Sequence, residues 1–535
     1  MNTFILKKFS TIKLGDFAKF TPYSKSYKIE NFYNSKWQSS LNYDMFPNPI
    51  NGYKDFLSVP NTQSEQEFSN IIKEMKSVSK SGLHNPLKNT DRYLMLGEVT
   101  RKLSCALHNN DIFQHFVDLI KTVIPKSKEQ ANAEFTICRN FLDNFAGDNV
   151  RYLAKSFHVP GDYTGQQTTG YRWPYGPVSI VSPFNFPLEI VLLQLFGALY
   201  MGNKPLVKVD SRVSLPMQDF VRLMHECGLP KEDMLLIHAD GENTQRLLSK
   251  CELRTTCFTG SSKAAEKLTN ALKGKVKLED SGLDWKMLGP DVENVEYVAH
   301  MIDHDAYALS GQKCSAQSLL FVHKNWLKSE VNLYRLVEEK TKKRNFLSDM
   351  TISPLLSWSN KEIISHINLV LEIKGSRLLW GGKPCKEKNS VPECYGLFEP
   401  TAITIPINEF LNKDNYNVIN TELFGPFQLI IEYDNNDIEN IINFLDNMEH
   451  KLTCGVVSNN LPFLNKILGH TSNGTTYAGI RARTTGAPQN HFFGPGGDPR
   501  GGGIGSIESI QMVWSHHREI VYDYIVTNDI ELKQS

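Results

Sequence analysis

Hydrophobic residues in the first third of the chain recur at spacings of three and four. This spacing predicts helices over Glu65–Val78 and Asp91–Leu107. The pattern continues over His115–Ile124 and ends at Pro125, which cannot donate a helical hydrogen bond. Residues 61–154 are therefore expected to be mostly helical.

From Gly176 the pattern changes to short apolar runs that alternate with helical segments. The predicted strands are Pro177–Val181, Lys204–Val209, Met234–Ile237 and Thr255–Thr259. The predicted helices are Pro187–Tyr200, Leu215–Cys227, Thr244–Lys250 and Ser262–Leu272. Strands that alternate with helices form βαβ units around a parallel sheet. Such sheets bind ligands beyond the carboxyl ends of their strands, so we expect a dinucleotide there.

A second alternating segment predicts a second α/β domain. Its predicted elements lie near Ser318–Val322, Lys361–Leu371, Ala402–Ile405, Phe427–Tyr433 and Asn435–Met448. The chain from Gly479 onward is rich in loop residues, and seven of the twelve residues in 494–505 are glycine. Because this stretch lacks the GxGxxG spacing and follows no clear strand, it is interpreted as a turn region and not a phosphate cradle.

Composition then narrows the classes of partner. The 535 residues include 58 Lys and Arg against 58 Asp and Glu, so no net charge attracts nucleic acid or an anionic membrane. No apolar run reaches the ~18 residues of a membrane span. The nine cysteines form no CxxC pair, and neither they nor the His516–His517 pair have metal-site spacing. We therefore expect a globular protein of a reducing compartment, without a metal, nucleic-acid or membrane partner.

The first 29 residues differ from this neutral average. They contain six lysines and a single acid, Asp16, with apolar residues at near-helical spacing. A basic, amphipathic and acid-poor start is typical of a mitochondrial transit peptide, so residues 1–29 are predicted to direct the protein to the matrix. The alternative is a lysine-rich tail on a cytoplasmic protein.

Three short segments carry the candidate chemistry. They are Ser182–Pro187 (SPFNFP), Lys277–Gly282 (KLEDSG) and Ser310–Ala316 (SGQKCSA). Cys314 stands among small and polar residues beside Lys313, and a nearby cation lowers a thiol pKa from about 8.5. It is a candidate nucleophile, and the alternative is an inert buried cysteine. Glu279 and Asn185 become candidate catalytic residues only if the fold brings them into the same pocket as Cys314.

Further segments follow in order along the chain and make these three more specific. They are Phe258–Ser262 (FTGSS), Glu399–Thr401 (EPT) and Glu422–Pro426 (ELFGP). Together the segments resemble the signatures of the aldehyde dehydrogenase superfamily over nearly the whole chain after the leader. The resemblance implies an α/β fold with a Rossmann-type NAD-binding domain, an α/β catalytic domain and an oligomerisation hairpin.

The resemblance also implies a division of the chain. The implied parts are a transit peptide (1–29), an NAD-binding domain (30–154 and 174–280), a catalytic domain (281–478) and oligomerisation or bridging segments (155–173 and 479–535). Members of the superfamily usually assemble through the hairpin, so at least a homodimer is expected.

Four segments resemble one branch of the superfamily, the plant-type mitochondrial Δ1-pyrroline-5-carboxylate dehydrogenases. They are Leu278–Pro290, Asn473–Gly479, Arg483–Asn490 and Phe493–Arg500. The resemblance implies NAD-dependent oxidation of L-glutamate γ-semialdehyde to L-glutamate, the last step of proline breakdown. Two alternatives stay open. One is an NAD(P)-dependent dehydrogenase of another semialdehyde or aliphatic aldehyde, and the other is a non-catalytic homologue with a structural or binding role.

The resemblance assigns the catalytic roles residue by residue. Cys314 would attack the aldehyde carbon and form a thiohemiacetal. The Asn185 side chain and the Cys314 main-chain N–H would hold the oxyanion. Glu279 would activate the water that hydrolyses the resulting thioester.

The implied cofactor is NAD, bound in the crevice of the first domain. The residues implied to bind it are Ser182, Pro183, Phe184, Lys208, Ser211, Gly260, Ser261, Glu422 and Phe424. Ser211 stands where many members carry an acidic residue, and Ala265 stands where many carry a glycine. A carboxylate at position 211 would repel the 2′-phosphate of NADP and serine would not, so this position does not itself select NAD.

For the substrate, the resemblance implies that Ser315 and the backbone N–H groups of Gly486 and Ala487 hold the α-carboxylate. Phe184 and Phe493 would flank the aliphatic chain. The alternative is that both rings pack in the core and that Gly486 is a turn glycine.

Overall fold

The computed structural model describes residues 26–280, 282–328, 332–386 and 390–524. Most of the predicted transit peptide lies outside the described residues. The strands are β1 (Tyr27–Lys28), β2 (Asn31–Tyr33), β3 (Lys36–Gln38), β4 (Tyr43–Phe46), β5 (Leu57–Pro60), β6 (His158–Pro160), β7 (Gln166–Pro174), β8 (Pro177–Val181), β9 (Lys204–Lys208), β10 (Leu235–Ile237), β11 (Thr255–Gly260), β12 (Val276–Asp280), β13 (Asp284–Leu288), β14 (Gln317–His323), β15 (Arg377–Trp380), β16 (Thr401–Thr404), β17 (Phe427–Tyr433), β18 (Thr453–Val457), β19 (Thr475–Ala478) and β20 (Ser515–Asp523). The α-helices are α1 (Glu65–Lys76), α2 (Asp91–Leu107), α3 (Asn110–Val123), α4 (Lys128–Asn144), α5 (Asn149–Tyr152), α6 (Glu189–Tyr200), α7 (Ser214–Glu226), α8 (Gly241–Lys250), α9 (Ser262–Ala271), α10 (Val295–Tyr307), α11 (Leu333–Thr341), α12 (Asn360–Leu371), α13 (Ile407–Phe410), α14 (Tyr416–Ile419), α15 (Ile438–Asp446), α16 (Leu461–Leu468) and α17 (Ile507–Trp514).

The first sheet has seven strands in the order β12-β11-β8-β9-β10-β2-β3. The neighbours from β12 to β10 are parallel, and the hairpin β2–β3 closes the far edge in antiparallel pairing. The strands and helices predicted between residues 177 and 272 all appear, within about three residues of their predicted bounds. The hairpin is absent from the prediction because strands of three residues are too short to show an alternating pattern.

The second sheet also has seven strands, in the order β15-β16-β17-β14-β13-β18-β19. All neighbours from β16 to β19 are parallel, and β15 adds an antiparallel edge. Strands β13 and β18 are buried at every residue, as expected for a parallel sheet that is covered on both faces. The predicted α/β fold with two parallel sheets is therefore confirmed.

A third sheet joins distant segments of the chain in the antiparallel order β20-β7-β6. Its longest register pairs Ser515–Asp523 with Gln166–Pro174. The expectation of a loop-rich chain after Gly479 holds for 479–506 and is wrong for α17 and β20. Strand β20 is mostly polar and exposed, so its sequence lacks the apolar run or strict alternation that marks a strand.

Helix α6, which follows the SPFNFP segment, is buried along its whole length. Such a helix is apolar on every side, and its packing fixes where the loop between β8 and α6 can lie. The chain leaves the first sheet at Asp280 and enters the second at Asp284, so Glu279 lies where the two sheets meet. Within the described parts of the chain, no helix is both long and apolar enough to cross a membrane.

Candidate active site

A cavity of about 620 Å³ lies beyond the carboxyl ends of β8, β9, β11 and β12, where the first sheet faces the second. Its volume is within the usual range for a small-molecule site. The predicted residues that line it are Ser182, Pro183, Phe184, Asn185, Lys208, Gly260, Ser261, Glu279, Cys314, Glu422 and Phe424. The fold thus brings the three proposed catalytic residues into the same pocket, which is the condition that their sequence pattern left open.

The loop before Cys314 has an unusual backbone that fixes the position of the thiol. Leu309 and Ser310 adopt left-handed conformations, with φ of 55° and 51°. Gly311 follows with φ of 71°, and a Cβ added there would lie 2.0 Å from the carbonyl oxygen of Gly425. Only glycine fits this approach, because any side chain would clash with a main-chain atom. Cys314 lies just beyond this turn and faces the cavity.

Glu279 is the closest charged partner of the cysteine. The carboxylate is buried at the end of β12, and its Oε2 accepts a hydrogen bond of 3.4 Å from Thr259 Oγ1. Burial raises the pKa of the Cys314 thiol well above its usual value, and the charge of Glu279 and a hydrogen bond with it raise this pKa further. The Glu279 side chain is thus within hydrogen-bonding reach of the thiol.

The expectation that Lys313 acidifies the thiol is not supported by the geometry. Its ammonium is buried and donates hydrogen bonds to His304 O (3.3 Å) and to Thr485 Oγ1 (3.1 Å). Burial lowers the pKa of Lys313 to about 8. The side chain of Lys313 is thus hydrogen-bonded to neighbouring segments, and Glu279 is the group that hydrogen-bonds with Cys314.

Asn185 lies in the loop between β8 and α6 and is 1% exposed. Its side chain lines the cavity together with Cys314. Within the described part of the chain, Asn185 Oδ1 has no hydrogen-bond partner. No hydrogen bond to Oδ1 therefore sets the orientation of the Asn185 side chain.

At the other end of the cavity, two charged residues flank the predicted position 211. Asp210 and Arg212 line the cavity, whereas Ser211 does not. Arg212 pairs with Asp210 through Nε–Oδ1 (3.0 Å) and Nη2–Oδ2 (2.7 Å), and its guanidinium lies 4.8 Å from the centre of the Phe184 ring. Burial acts to raise the pKa of Asp210, but the charge and hydrogen bonds of Arg212 lower it to about 2. The prediction that Ser211 contacts the cofactor is thus not matched by the lining of the cavity, where the adjacent Asp210 supplies an acidic side chain.

The start of α9 fits the phosphates of a dinucleotide. Gly260 ends strand β11, and Ser261 caps the helix without a side-chain capping hydrogen bond. Ser261, Ser262 and Lys263 all line the cavity. The first N–H groups of a helix and the positive end of its dipole attract a phosphate group, and Lys263 adds a positive charge.

Four of the five proposed substrate residues do not line this cavity. They are Ser315, Gly486, Ala487 and Phe493. Ser315 Oγ lies 3.1 Å from Thr485 Oγ1, so Ser315 touches the segment that carries Gly486 and Ala487. A Cβ on Gly486 would lie 1.9 Å from the Tyr477 hydroxyl, so this position requires glycine for reasons of space.

Phe493 is packed in the hydrophobic core of the first domain. It is 5% exposed and pairs with Ile504, whose N–H donates to Phe493 O (2.8 Å). This environment is that of the core-packing alternative, and its role as an aromatic wall stays a prediction. Phe184, by contrast, faces the cavity and meets the Phe424 ring edge-on, with 5.9 Å between the ring centres.

The glycine-rich stretch has a structural role that the sequence did not reveal. Leu278 N–H donates to Arg500 O (2.9 Å), and Gly502 N–H donates to Leu278 O (2.8 Å). The stretch therefore lies along the free edge of β12, next to Glu279. Arg500 also forms an ion pair with Glu266 of α9 at 2.8 Å, which ties the stretch to the proposed phosphate-binding helix.

The two parallel sheets and the cavity between them, lined by a cysteine, a glutamate and an asparagine, define an α/β enzyme. The chain belongs to the aldehyde dehydrogenase family, which matches residues 90–512. It is 50% identical over 499 residues to the mitochondrial delta-1-pyrroline-5-carboxylate dehydrogenase 12A1 of Arabidopsis thaliana, which covers 93% of this chain and 88% of that protein.

Two solved structures show the same fold at lower identity. Aldehyde dehydrogenase 21 from Physcomitrella patens matches with a TM-score of 0.76 and 20% identity, over 94% of this chain and 100% of that chain. A NAD-dependent aldehyde dehydrogenase from Sinorhizobium meliloti matches with a TM-score of 0.78 and 17% identity, over 95% of this chain and 96% of that chain. The resemblance noted from the sequence motifs is thereby confirmed at the level of the family.

Proposed function

We propose that the protein oxidises L-glutamate γ-semialdehyde to L-glutamate with NAD as the hydride acceptor. The observation that carries this proposal is the meeting of Cys314, Glu279 and Asn185 in one cavity, with the thiol hydrogen-bonded to the carboxylate. The 50% identity with a delta-1-pyrroline-5-carboxylate dehydrogenase supports the choice of substrate. A panel of aldehydes, each supplied with NAD and with NADP, tests the proposal.

The first step is covalent capture of the aldehyde. Glu279 accepts the proton of the Cys314 thiol, and the sulfur attacks the aldehyde carbon to form a thiohemiacetal. The negative charge that develops on the oxygen is held by Asn185 Nδ2 and by the main-chain N–H of Cys314. Donors placed in advance at such an oxygen typically contribute ~2.7–4 kcal/mol each to transition-state stabilisation.

The second step releases the acid. NAD, when bound, would accept the hydride from the thiohemiacetal carbon, and the acyl group would then remain on Cys314 as a thioester. Glu279, once it has lost its proton to solvent, removes a proton from water as the water attacks the thioester carbon. Cys314 leaves as a thiolate, regains a proton and can begin another turnover.

NAD is preferred over NADP in this proposal because of Asp210. Its carboxylate lines the cavity together with Lys208, the residue that the family resemblance assigns to the adenosine ribose. A carboxylate there opposes the 2′-phosphate of NADP and accepts a hydrogen bond from the ribose hydroxyl of NAD. Asp210 also neutralises Arg212, which would otherwise attract the phosphate.

Asp210→Asn is expected to weaken the preference for NAD by about tenfold or more, since ~1.4 kcal/mol of lost repulsion changes a ratio tenfold. The ratio of kcat/KM for NAD to that for NADP measures it, with fluorescence titration of NADH and NADPH as a second reading. Asp240→Asn is the matched control, because Asp240 follows the neighbouring strand β10 and does not line the cavity. An unchanged ratio in Asp210→Asn would exclude Asp210 as the selecting residue.

Ser315→Ala tests the proposed carboxylate site. The hydroxyl would donate a charge-assisted hydrogen bond worth ~1.5–3 kcal/mol, so KM for glutamate semialdehyde is expected to rise by roughly 10- to 100-fold. Pentanal, which has no α-carboxylate, should be oxidised at nearly the same rate by the variant and the parent. Equal losses with both aldehydes would show that Ser315 supports the loop at Thr485 and does not bind the carboxylate.

We also propose that the enzyme works in the mitochondrial matrix as at least a homodimer. The location is supported by the basic leader and by the mitochondrial relative. The assembly is supported by large apolar side chains exposed on and beside the third sheet, among them Phe157 (80% exposed) and Val521 (52% exposed). Exposed apolar groups clustered in this way mark an interaction surface.

A further inference from the structure

The main chain at Asn185 is held by a charged residue that is distant in sequence. Lys126 Nζ donates to Asn185 O (3.0 Å) across 59 residues of chain. The same ammonium forms an ion pair of 2.8 Å with Glu134 Oε2, and both side chains are 0% exposed. Lys126 lies between α3 and α4, and Glu134 belongs to α4, so both come from the helical layer and not from either sheet.

Glu134 holds the same loop from its other side. Its Oε1 accepts hydrogen bonds from Leu188 N–H (3.0 Å) and Glu189 N–H (3.4 Å). These amides begin helix α6, whose cap residue Leu188 makes no capping hydrogen bond of its own. A carboxylate at this place satisfies amides that the helix leaves free and interacts favourably with the helix dipole.

The lysine also contacts the residue that follows Asn185. Its ammonium lies 4.8 Å from the centre of the Phe186 ring, at a distance typical of a cation–π contact. The loop from 185 to 189 is therefore fixed at a carbonyl, at a ring and at two amides, all by one ion pair.

A buried ion pair of this kind does not by itself add to the stability of a fold. Removing two charges from water is unfavourable, and apolar residues of similar size often replace a buried pair without loss of stability. Here every strong contact of the pair outside itself goes to the loop that carries Asn185. Because Asn185 Oδ1 has no hydrogen-bond partner in the described chain, the direction of its side chain depends on how its main chain is held.

We propose that Lys126 and Glu134 are positioning residues that aim the Asn185 amide at the oxyanion. The inference rests on the proposed function through the role given to Asn185. Neither residue lines the cavity, so each acts through the loop and not on the substrate. A donor that shifts by a fraction of an ångström loses much of its effect on a developing charge.

The test uses an acyl transfer that needs neither cofactor nor semialdehyde. Cys314 sulfur attacks the carbonyl carbon of p-nitrophenyl acetate, passes through an oxyanion of the same kind and expels p-nitrophenolate, leaving an acetyl thioester that water hydrolyses. The rate of the p-nitrophenolate burst reports the capture step alone. The enzyme is the full chain, with the variants Lys126→Met, Asn185→Ala and the two combined.

Asn185→Ala is expected to slow the burst by roughly 10²- to 10³-fold, the usual effect of losing one oxyanion donor. Lys126→Met is expected to slow it by at least about tenfold while the burst amplitude and NADH binding stay unchanged. The combined variant should be no slower than Asn185→Ala, because residues that act through one group are not additive. A matched control is Lys204→Met, which breaks a similar 2.8 Å pair with Glu74 at the amino end of β9, away from the cavity.

Lys126→Met leaves the charge of Glu134 buried and unpaired, which is expected to destabilise the variant. A second variant therefore separates loss of stability from loss of positioning. The variant Lys126→Met/Glu134→Gln removes both charges and keeps an acceptor for Leu188 N–H, and it should show the same slow burst. A normal burst in Lys126→Met/Glu134→Gln would overturn the proposal. So would a burst in the variant that combines Lys126→Met with Asn185→Ala if it is slower than the parent's by the product of the two single effects. A parent enzyme that gives the burst but does not oxidise glutamate semialdehyde would contradict the proposed substrate and leave this inference standing.

Discussion

Replacing Cys314 by alanine is expected to lower kcat/KM for the aldehyde by more than about 10⁴-fold, the scale of loss seen when a covalent nucleophile is removed. Both steps of the proposed reaction pass through its sulfur, and the cavity offers no second thiol among its lining residues. NADH binding should remain, because Cys314 is not among the residues proposed to bind the cofactor. The measurement is steady-state NADH production, with fluorescence titration of NADH as the check on the cofactor site.

Cys257→Ala is the control for this experiment. Cys257 is buried in strand β11 of the first sheet and does not line the cavity. Cys257→Ala should retain nearly all activity, so any general effect of removing a thiol from the protein would be visible. Turnover by Cys314→Ala at a rate close to that of the parent would remove the basis of the mechanism.

Glu279→Gln is expected to give one rapid turnover followed by a very slow steady state. The amide cannot accept a proton from water, so hydrolysis of the thioester should fall by roughly 10²- to 10⁴-fold. Capture should persist although Glu279 takes the thiol proton in the parent enzyme, because removing the charge of Glu279 makes the Cys314 thiol more acidic and its proton can then pass to solvent. A stopped-flow trace should therefore show a burst of about one NADH per active site.

A second glutamate near the cavity serves as the comparison. Glu266 is partly exposed on α9 and pairs with Arg500, and Glu266→Gln removes the same charge without touching the cysteine. It should show no burst and a near-normal steady state. If Glu279→Gln instead loses the first turnover and keeps normal hydrolysis of an acetylated enzyme, Glu279 acts on the thiol and not on the water.

The two central sheets follow from local pattern. Strands buried on both faces give continuous apolar runs, and Phe427–Tyr433 is predicted with the bounds that the structure has. Strand β20 escapes prediction because its neighbours are supplied by β7, more than three hundred residues earlier in the chain. Its residues alone resemble a polar loop.

The site residues divide in the same way, into those that a short motif identifies and those whose contacts only the folded chain brings together. Cys314, Glu279 and Asn185 are found because each stands in a short motif, and the motifs occur in the order of a known family. Lys126 has no motif, and a lone lysine is interpreted as solvent-exposed unless its partner is known. Its importance depends on Glu134 and on a carbonyl 59 residues away, which only the folded chain brings together.

Asp210 lies between these cases. The comparison with the family directs attention to position 211, which holds serine, and the structure shows that the adjacent carboxylate lines the cavity. In a strand, adjacent side chains point to opposite faces, so a residue one position away could not take over a contact. Asp210 and Ser211 lie after the end of β9, so this alternation does not apply to them. The sequence therefore indicates an acid in this region without fixing its place.

The most direct test of the central claim is the rate of cofactor reduction with L-glutamate γ-semialdehyde, succinate semialdehyde and pentanal, each with NAD and with NADP. We predict the highest kcat/KM for glutamate semialdehyde with NAD, by at least about tenfold over the other aldehydes, since loss of one charge-assisted contact costs ~1.4 kcal/mol or more. A higher kcat/KM with pentanal, or no cofactor reduction with glutamate semialdehyde, would contradict the proposed function.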